Sequence, residues 1–472
     1  MKRYEALAEK IEEMIQSGVL TGGDKAPSIR QASVQHGVSP STVFQAYYLL
    51  ESRGLIRARE RSGYYVNENI KNLLPEPGPT RPAVLSTNVK VSDLVFSVLE
   101  AMRVTDIAQL GSAFPAPELF PLQKLAQSLA RANRYSDPSS RGANLTPGNE
   151  DLRRAIALRY MTAGVSVSAD DIIITDGALE GLSLALQAIT KPGDVIAIES
   201  PGFYAALQMI ERLNLKAIEI PMDPNEGLDL SALEDAINNH GIRACWCMTN
   251  FQNPLGSSTP EEKKKTLVSL LAKYEIPLIE DDVYGELYFG SKYPRPAKTF
   301  DTQGLVLHCS SFSKSLAPGY RIGWILPGRY YESVRRAKLM TTLSASVPAQ
   351  LALADYLQQG SYDRHLRKLR QALESQQAQM VKAIGAYFPA GCKVTRPKGG
   401  YFLWVELPLS VNSLELYRQS LAHSINLAPG PIFSSTTNYD HCIRLNYGQV
   451  SGEIEEAIKT IGTLAHELIV DK

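Results

Sequence analysis

The sequence predicts an α/β protein: a large, mostly parallel sheet with helices on both faces, preceded by a small helical head. Two observations carry this. Beyond about residue 170, short apolar runs alternate with longer amphipathic stretches. The runs are Ile172–Thr175, Val195–Ile198, Cys245–Met248, Pro277–Glu280, Leu305–His308 and Gly323–Leu326. Apolar strands recurring between helical segments are the pattern of a parallel sheet. Before residue 67, apolar positions keep helical spacing, and glycines divide them into short helices.

Composition sets the limits. At 472 residues, 44% apolar and 21% charged, the chain has the make-up of a soluble globular protein with about three domains. Its net charge is zero, so a nucleic-acid contact must come from a local patch. The cysteines, at 245, 247, 309, 392 and 442, are odd in number and scattered. They read as reduced core residues of a cytoplasmic protein. The N-terminus passes straight into a charged amphipathic helix and reads as neither signal nor transit peptide. No apolar run approaches membrane-spanning length, so no membrane partner is expected.

In chain order, Tyr4, Leu7, Ala8, Ile11 and Ile15 mark a first helix, stopped by Gly18 and Gly22-Gly23. Pro27-Ser-Ile-Arg30 opens a second helix through Val34, and His36-Gly37 breaks it. Ser39 caps a third helix with Pro40 at its first position, carrying Val43, Ala46, Tyr47, Leu49 and Leu50. Helix, glycine turn and helix at this spacing predict a helix-turn-helix. Two short strands around a charged turn follow in 54–66, a wing carrying Arg53, Arg57, Arg59 and Arg61. Residues 1–67 hold nine Lys/Arg against seven Asp/Glu, so the DNA footprint is this arginine cluster and not bulk charge.

Residues 3–66 resemble the winged-helix DNA-binding domain of the GntR family. The matching features include Pro27-Ser28-x-Arg30, Gly37-Val38-Ser39, Ser41-Thr42-Val43, Ala46-Tyr47, Gly54-Leu55 and Ser62-Gly63-Tyr64-Tyr65-Val66. The resemblance implies that Arg30, Ser41, Thr42, the wing arginines Arg57, Arg59 and Arg61, and Gly63 meet double-stranded DNA. Pro40 stands where the family often has arginine, and Ala26 where leucine is common. Few basic residues on the third helix imply modest base readout, reliance on wing–phosphate contacts and a steep salt dependence.

Prolines 75, 77, 79 and 82 with Gly78 make 68–88 an extended, semi-rigid linker. The head is therefore 1–67 and the large domain 89–472. Helices are expected near 179–190, 261–274 and 364–386, and Gly400–Glu406 and Cys442–Asn446 suggest a small C-terminal α+β lobe.

The polar motifs of the large domain fall at strand ends, where open α/β sheets bind ligands. Cys309-Ser-Ser-Phe-Ser-Lys314 follows the strand at 305–308, and Arg321 follows seven residues later. A lysine among hydroxyls with a nearby arginine suits an aldehyde that carries a phosphate: the amine forms a Schiff base, and hydroxyls and guanidinium hold the phosphate. Pyridoxal phosphate (PLP) has both groups. Thr175-Asp-Gly-Ala-Leu-Glu-Gly181 is a phosphate-cradle turn opening a helix, and Pro201-Gly-Phe-Tyr204 supplies a ring for a planar ligand. Asn253 precedes a proline, and Asp281 and Tyr284 follow the strand at 277–280.

This domain resembles a PLP-dependent fold-type I aminotransferase over essentially 89–472. The resemblance implies that Lys314 holds PLP covalently, Asp281 pairs with the ring nitrogen, and Asn253 and Tyr284 bond the ring 3-oxygen. Phe203 would stack on the ring, with Tyr204 as a possible substitute. Ser311, Ser313, Arg321 and the backbone of Ala178 and Leu179 would bind the phosphate, and Arg444 a substrate or effector carboxylate. Ala178 and Leu179 lack the polar side chains common in that turn, and Ala143 stands where many aminotransferases place a tyrosine reaching the partner's phosphate. No metal is implied.

Head, linker and large domain in this order resemble the MocR/GabR group of transcription regulators. That implies a head-to-tail homodimer, DNA as a partner, and PLP or an amino acid as effector. Two alternatives stay open: a working aminotransferase with an N-terminal docking module, and a regulator whose signal is PLP itself.

Overall fold

The computed structural model describes residues 3–16, 19–52, 55–59, 62–67, 74–101, 107–135, 145–436, 438–449 and 454–470. The head comprises α1 (Arg3–Gln16), α2 (Ile29–His36), α3 (Pro40–Ser52), β1 (Ile56–Arg59) and β2 (Gly63–Val66). Local chemistry sets its boundaries. Ser28 caps α2 by accepting from the Gln31 N–H at 3.2 Å, while the Gln31 side chain accepts from the Ser28 N–H at 3.0 Å. Gly37, at φ 62°, ends α2 in the left-handed conformation. Ser39 Oγ accepts from the Thr42 N–H at 3.2 Å and starts α3.

The buried faces of the three helices meet around Leu7, Ile11, Ala32, Val43, Ala46, Tyr47 and Leu50, closed by Ile56 and Val66. Tyr47 is fully buried, and its hydroxyl donates to the Pro27 carbonyl at 2.5 Å. β1 and β2 pair antiparallel from Ile56↔Val66 to Arg59↔Gly63, and Lys25 bridges to Tyr65 along the open edge. This is the expected wing. Arg57, Arg59 and Gly63 lie on it, whereas Arg53 and Arg61 fall outside the described residues.

Among the described residues the large sheet has nine strands. Its order is 87–88, 216–223, 195–200, 242–247, 278–281, 306–311, 323–326 and 173–175, with 227–228 paired to 216–223. Strands 216–223, 195–200, 242–247, 278–281 and 306–311 are mutually parallel, while 323–326 runs antiparallel to both neighbours. The strand Lys216–Asp223 has no counterpart in the sequence expectations. Glu219 and Pro221 interrupt its apolar run, yet Glu219 is buried and satisfied by the Ser200, Ser434 and Ser435 hydroxyls. The C-terminal lobe is a four-stranded sheet of 393–394, 402–406, 442–446 and 428–429, flanked by helices Tyr362–Tyr387 and Ile454–Val470.

Residues 74–86 are extended, as their prolines require, but they are not a free spacer. The Val394 N–H donates to the Pro75 carbonyl at 2.9 Å, and Thr80 Oγ1 donates to the Ser200 carbonyl at 2.7 Å. Thr87–Asn88 then pairs with Lys216–Ala217 as the edge strand of the large sheet. All five cysteines are buried and free. Among the described residues no helix is long and apolar enough to cross a membrane.

Tyr47→Phe deletes one hydrogen bond under α3 and keeps the ring. It should lower the stability of the head by about 1 kcal/mol, seen as faster amide hydrogen exchange in α3. Unchanged exchange would show that the Pro27 contact does not hold the helix.

Candidate functional site

The antiparallel strands 306–311 and 323–326 need only a short connection, and that connection carries Lys314 and Arg321. Phe312, Leu316 and Ala317 bury its apolar side, which leaves Lys314 pointing inward. Lys314 Nζ donates to the Ala113 carbonyl at 2.7 Å and lies 3.7 Å from the centroid of the Phe114 ring. Arg321, at φ 53°, turns its guanidinium over the neighbouring turn and donates to Ser313 Oγ at 3.3 Å and the Asp176 carbonyl at 3.4 Å. That turn ends at Gly177, φ 79°, where any Cβ would fall inside the Arg321 guanidinium. Gly177 is the N-cap of helix Ala178–Ile189 and has no side chain to cap it. The backbone of Ala178 and Leu179 thus opens a helix N-terminus beside Arg321, Ser311 and Ser313, an arrangement that holds a phosphate.

Asp281 ends the strand 278–281, one row across from Cys309. It is buried, and its Oδ1 has no hydrogen-bond partner; the same holds for Asn253 Nδ2 and Arg444 Nε. Arg444 Nη1 donates to Asn253 Oδ1 at 2.9 Å and Nη2 to the Gly111 carbonyl at 2.6 Å. Its guanidinium lies 4.1 Å from the Phe402 centroid. Tyr284 meets Tyr401 edge-on at 5.3 Å, and the Tyr401 hydroxyl donates to the Ala113 carbonyl at 2.9 Å. Phe203 is half-buried at the start of helix Tyr204–Arg212, its ring 4.9 Å from that of Tyr204. Tyr204 in turn packs on Phe433, which also backs Arg444.

A buried polar atom without a partner costs about 1–3 kcal/mol, so three of them around one pocket describe what it is shaped to take. Asp281 Oδ1 asks for a ring N–H, Asn253 Nδ2 for an oxygen acceptor and Arg444 Nε for a carboxylate. With an amine at Lys314 and an anion cradle at Gly177–Leu179, the donor set fits PLP together with an amino-acid carboxylate.

Comparison with known proteins agrees at both ends of the chain. Residues 112–461 match the family of class I and II aminotransferases, and residues 3–66 match the gntR family of bacterial regulatory proteins. The crystal structure of a multiple substrate aminotransferase from Thermococcus profundus superposes with a TM-score of 0.74 at 26% identity, covering 80% of this chain and 96% of that one. The Pyrococcus horikoshii kynurenine aminotransferase gives 0.73 at 28% identity, covering 82% and 95%. Two relatives match from end to end. The uncharacterized HTH-type transcriptional regulator YdcR of Escherichia coli is 47% identical over 99% of this chain and 100% of its own length. YjiR of the same organism, of the same description, is 41% identical over 98% of each.

The chain belongs to the MocR/GabR-type regulators. It joins a GntR winged helix to a fold-type I aminotransferase domain, and that fold accounts for a PLP site in a regulator.

Within this regulator, several pocket residues carried no sequence signal. Phe114 and the Ala113 carbonyl, which hold Lys314, come from a segment without regular structure. Tyr401 and Phe402 looked like ordinary strand residues. Glu199 is buried near Asp281 and accepts from the Met248 N–H and Gln252 Nε2. Ala143 lies outside the described residues.

Burial and, after it, neighbouring Arg444 push the Lys314 amine down to about 7, against the pull of Asp281. Burial and then Asp282 raise Asp281 to about 7. Neutral amine is the nucleophile, so Lys314 is half active near neutrality where an ordinary lysine is almost wholly protonated. The initial rate of PLP capture by stripped protein, followed by absorbance, should rise about tenfold from pH 6 to 8 and then level off. A rate still climbing tenfold per unit at pH 9 would mean an unperturbed lysine. Lys314→Ala should abolish the absorbance, and its persistence would remove Lys314 from the site.

Proposed function

We propose that the protein is a DNA-binding transcription regulator whose aminotransferase-like domain senses PLP or an amino-acid carboxylate. The end-to-end match to HTH-type regulators, head and domain together, carries this reading. In it the head binds double-stranded DNA. Arg30 lies exposed in the first turn of α2, and on the wing Arg59 stacks 4.6 Å from the Tyr65 centroid. Gly63, exposed at φ 102°, lets the wing backbone approach a phosphate without a side chain in the way. A head-to-tail homodimer would present two such heads to two half-sites, and with DNA as its partner the protein works in the cytoplasm.

Bound PLP would supply an electron sink. Asp281 would keep the ring nitrogen protonated, Asn253 and Tyr284 would hold the 3-oxygen, Phe203 would cover the ring, and Ser311, Ser313 and Arg321 would hold the phosphate. Arg444 would orient the effector carboxylate. The same short segment, Gly111–Phe114, now occupies both Lys314 and Arg444 through its carbonyls and ring. Ligand groups reaching Lys314 and Arg444 would compete with those contacts, and the segment would then have different partners with and without ligand. This is the differential interaction through which a ligand shifts a conformational equilibrium.

PLP itself as the signal is a second reading, favoured by the phosphate turn. Ala178 and Leu179 offer only backbone there, which suits a cofactor that leaves and returns.

The test is the full chain on duplex DNA across a salt series, beside a transamination assay. Arg30→Ala should weaken binding to every duplex and lower the slope of log K against log salt by about one per bound head. Unchanged affinity would take Arg30 off the DNA. Sustained amino-group exchange at about 1 s⁻¹ or faster, with no binding to DNA, would replace the regulator reading by an enzyme.

A further inference from the structure

The exposed face of α3 holds no charge up to Leu50; Glu51, near its end, accepts from the Ala58 N–H at 2.7 Å. From Gly37 to Leu50 the chain has no Asp, Glu, Lys or Arg. Val43, Ala46, Tyr47 and Leu50 are buried, which leaves Ser41, Phe44, Gln45 and Tyr48 as the outward stripe. Phe44 is 53% exposed and Tyr48 68%, one helical turn apart. Two aromatic rings standing side by side in water on an uncharged stretch of helix are unusual for a free surface. The cations that could meet phosphates lie elsewhere in the head, at Arg30 on α2 and at Lys25, Arg57 and Arg59 on the wing.

The hydroxyls at the start of α3 are already engaged. Ser39 Oγ is 2.8 Å from both Ser41 Oγ and Thr42 Oγ1, so these side chains bind one another around the cap. The groups left to meet a base edge are Phe44, Gln45 and Tyr48. In a major groove the apolar partner of an aromatic ring is the thymine C5 methyl, and the partner of a glutamine amide is the N6/N7 edge of adenine. Ser41 to Tyr48 spans about 10 Å along the helix, close to three base-pair steps.

We propose that α3 reads A·T pairs, with Phe44 and Tyr48 against thymine methyl groups and Gln45 on an adenine. The proposal rests on the DNA-binding reading and adds what that reading lacks: the base class, and the residues that select it. Phosphate contacts position the head, and this uncharged stripe specifies the half-site.

The experiment uses the full-length protein and duplexes selected from a randomised pool. Each thymine of a selected half-site is replaced in turn by deoxyuridine, which removes only the C5 methyl. At the contacted positions affinity should fall about fourfold per methyl. Phe44→Ala, which leaves the core intact because the ring is exposed, should abolish the thymine–deoxyuridine difference at one position. Phe44→Leu should retain it. A half-site specified only at G·C pairs, deoxyuridine without effect, or an unchanged methyl dependence in Phe44→Ala would each overturn the proposal while leaving DNA binding intact. Failure of any duplex to be selected would overturn the DNA-binding reading itself.

Discussion

The site in the large domain is built on buried ionisable groups that keep unpaired hydrogen-bonding atoms. Asp281 and Arg444 sit inside with free hydrogen-bonding atoms, and Lys314 is held on a carbonyl and an aromatic face. Such groups destabilise a fold unless something pairs with them. The architecture keeps them in place regardless. Parallel strands bring Asp281 to the C-terminal end of a central strand, the antiparallel return at 323–326 brings Lys314 and Arg321 into one connection, and the C-terminal lobe supplies Arg444. Packing at Gly323 shows how closely the parts fit: a Cβ there would lie 2.5 Å from the Gly177 carbonyl carbon and 2.7 Å from the Ala178 nitrogen. Phosphate turn and lysine turn are thus one packed unit.

The polar cluster beneath the sheet serves that unit. His308 Nδ1 lies 2.8 Å from Glu280, and its Nε2 lies 2.6 Å from the Tyr160 hydroxyl, which accepts from Trp324 Nε1 at 2.9 Å. The chain ties together three neighbouring strands and the helix Glu150–Thr162. Fully partnered buried networks of this kind hold a core in one arrangement. Asp282 beside it bonds Asn250, and Asp281 faces the other way into the pocket.

Arg444, inside the strand Cys442–Asn446, stands out in the sequence only through the resemblance to aminotransferases. Lys314, Asp281 and Asn253 stand out because each is a polar residue after an apolar run, and strand ends are where such punctuation carries chemistry. The strands at 323–326 and 442–446 agree with their sequence bounds for the same reason. The strand at 216–223 was not legible, since a buried glutamate reads as surface until its serine partners, more than two hundred residues later, are seen. Nor was the segment around Ala113 and Phe114, whose role comes from tertiary position and not from any periodicity. In the head, the Ser39 cap, the Gly37 break and the wing could be read directly, whereas the Ser28 cap and the last turn of α2 to His36 could not. Helical spacing put Tyr47 in the core, but the exposure of Phe44 and Tyr48 is seen only in the structure. The linker's prolines foretold its extended form but not its docking on the sheet edge through Thr80 and Thr87–Asn88.

That docking fixes the linker close to the pocket, since Thr80 bonds the carbonyl of Ser200, three residues before Phe203. The central claim is that occupancy of the pocket and binding of DNA are coupled. Its most direct test is fluorescence anisotropy of the full chain on the intergenic duplex beside its own gene, at fixed salt. Protein stripped of cofactor would be compared with protein saturated with PLP, and then with PLP and an amino acid together. The account predicts that at least one addition changes the DNA affinity about fivefold or more and that Lys314→Ala loses the response. The same affinity in all three states would contradict it.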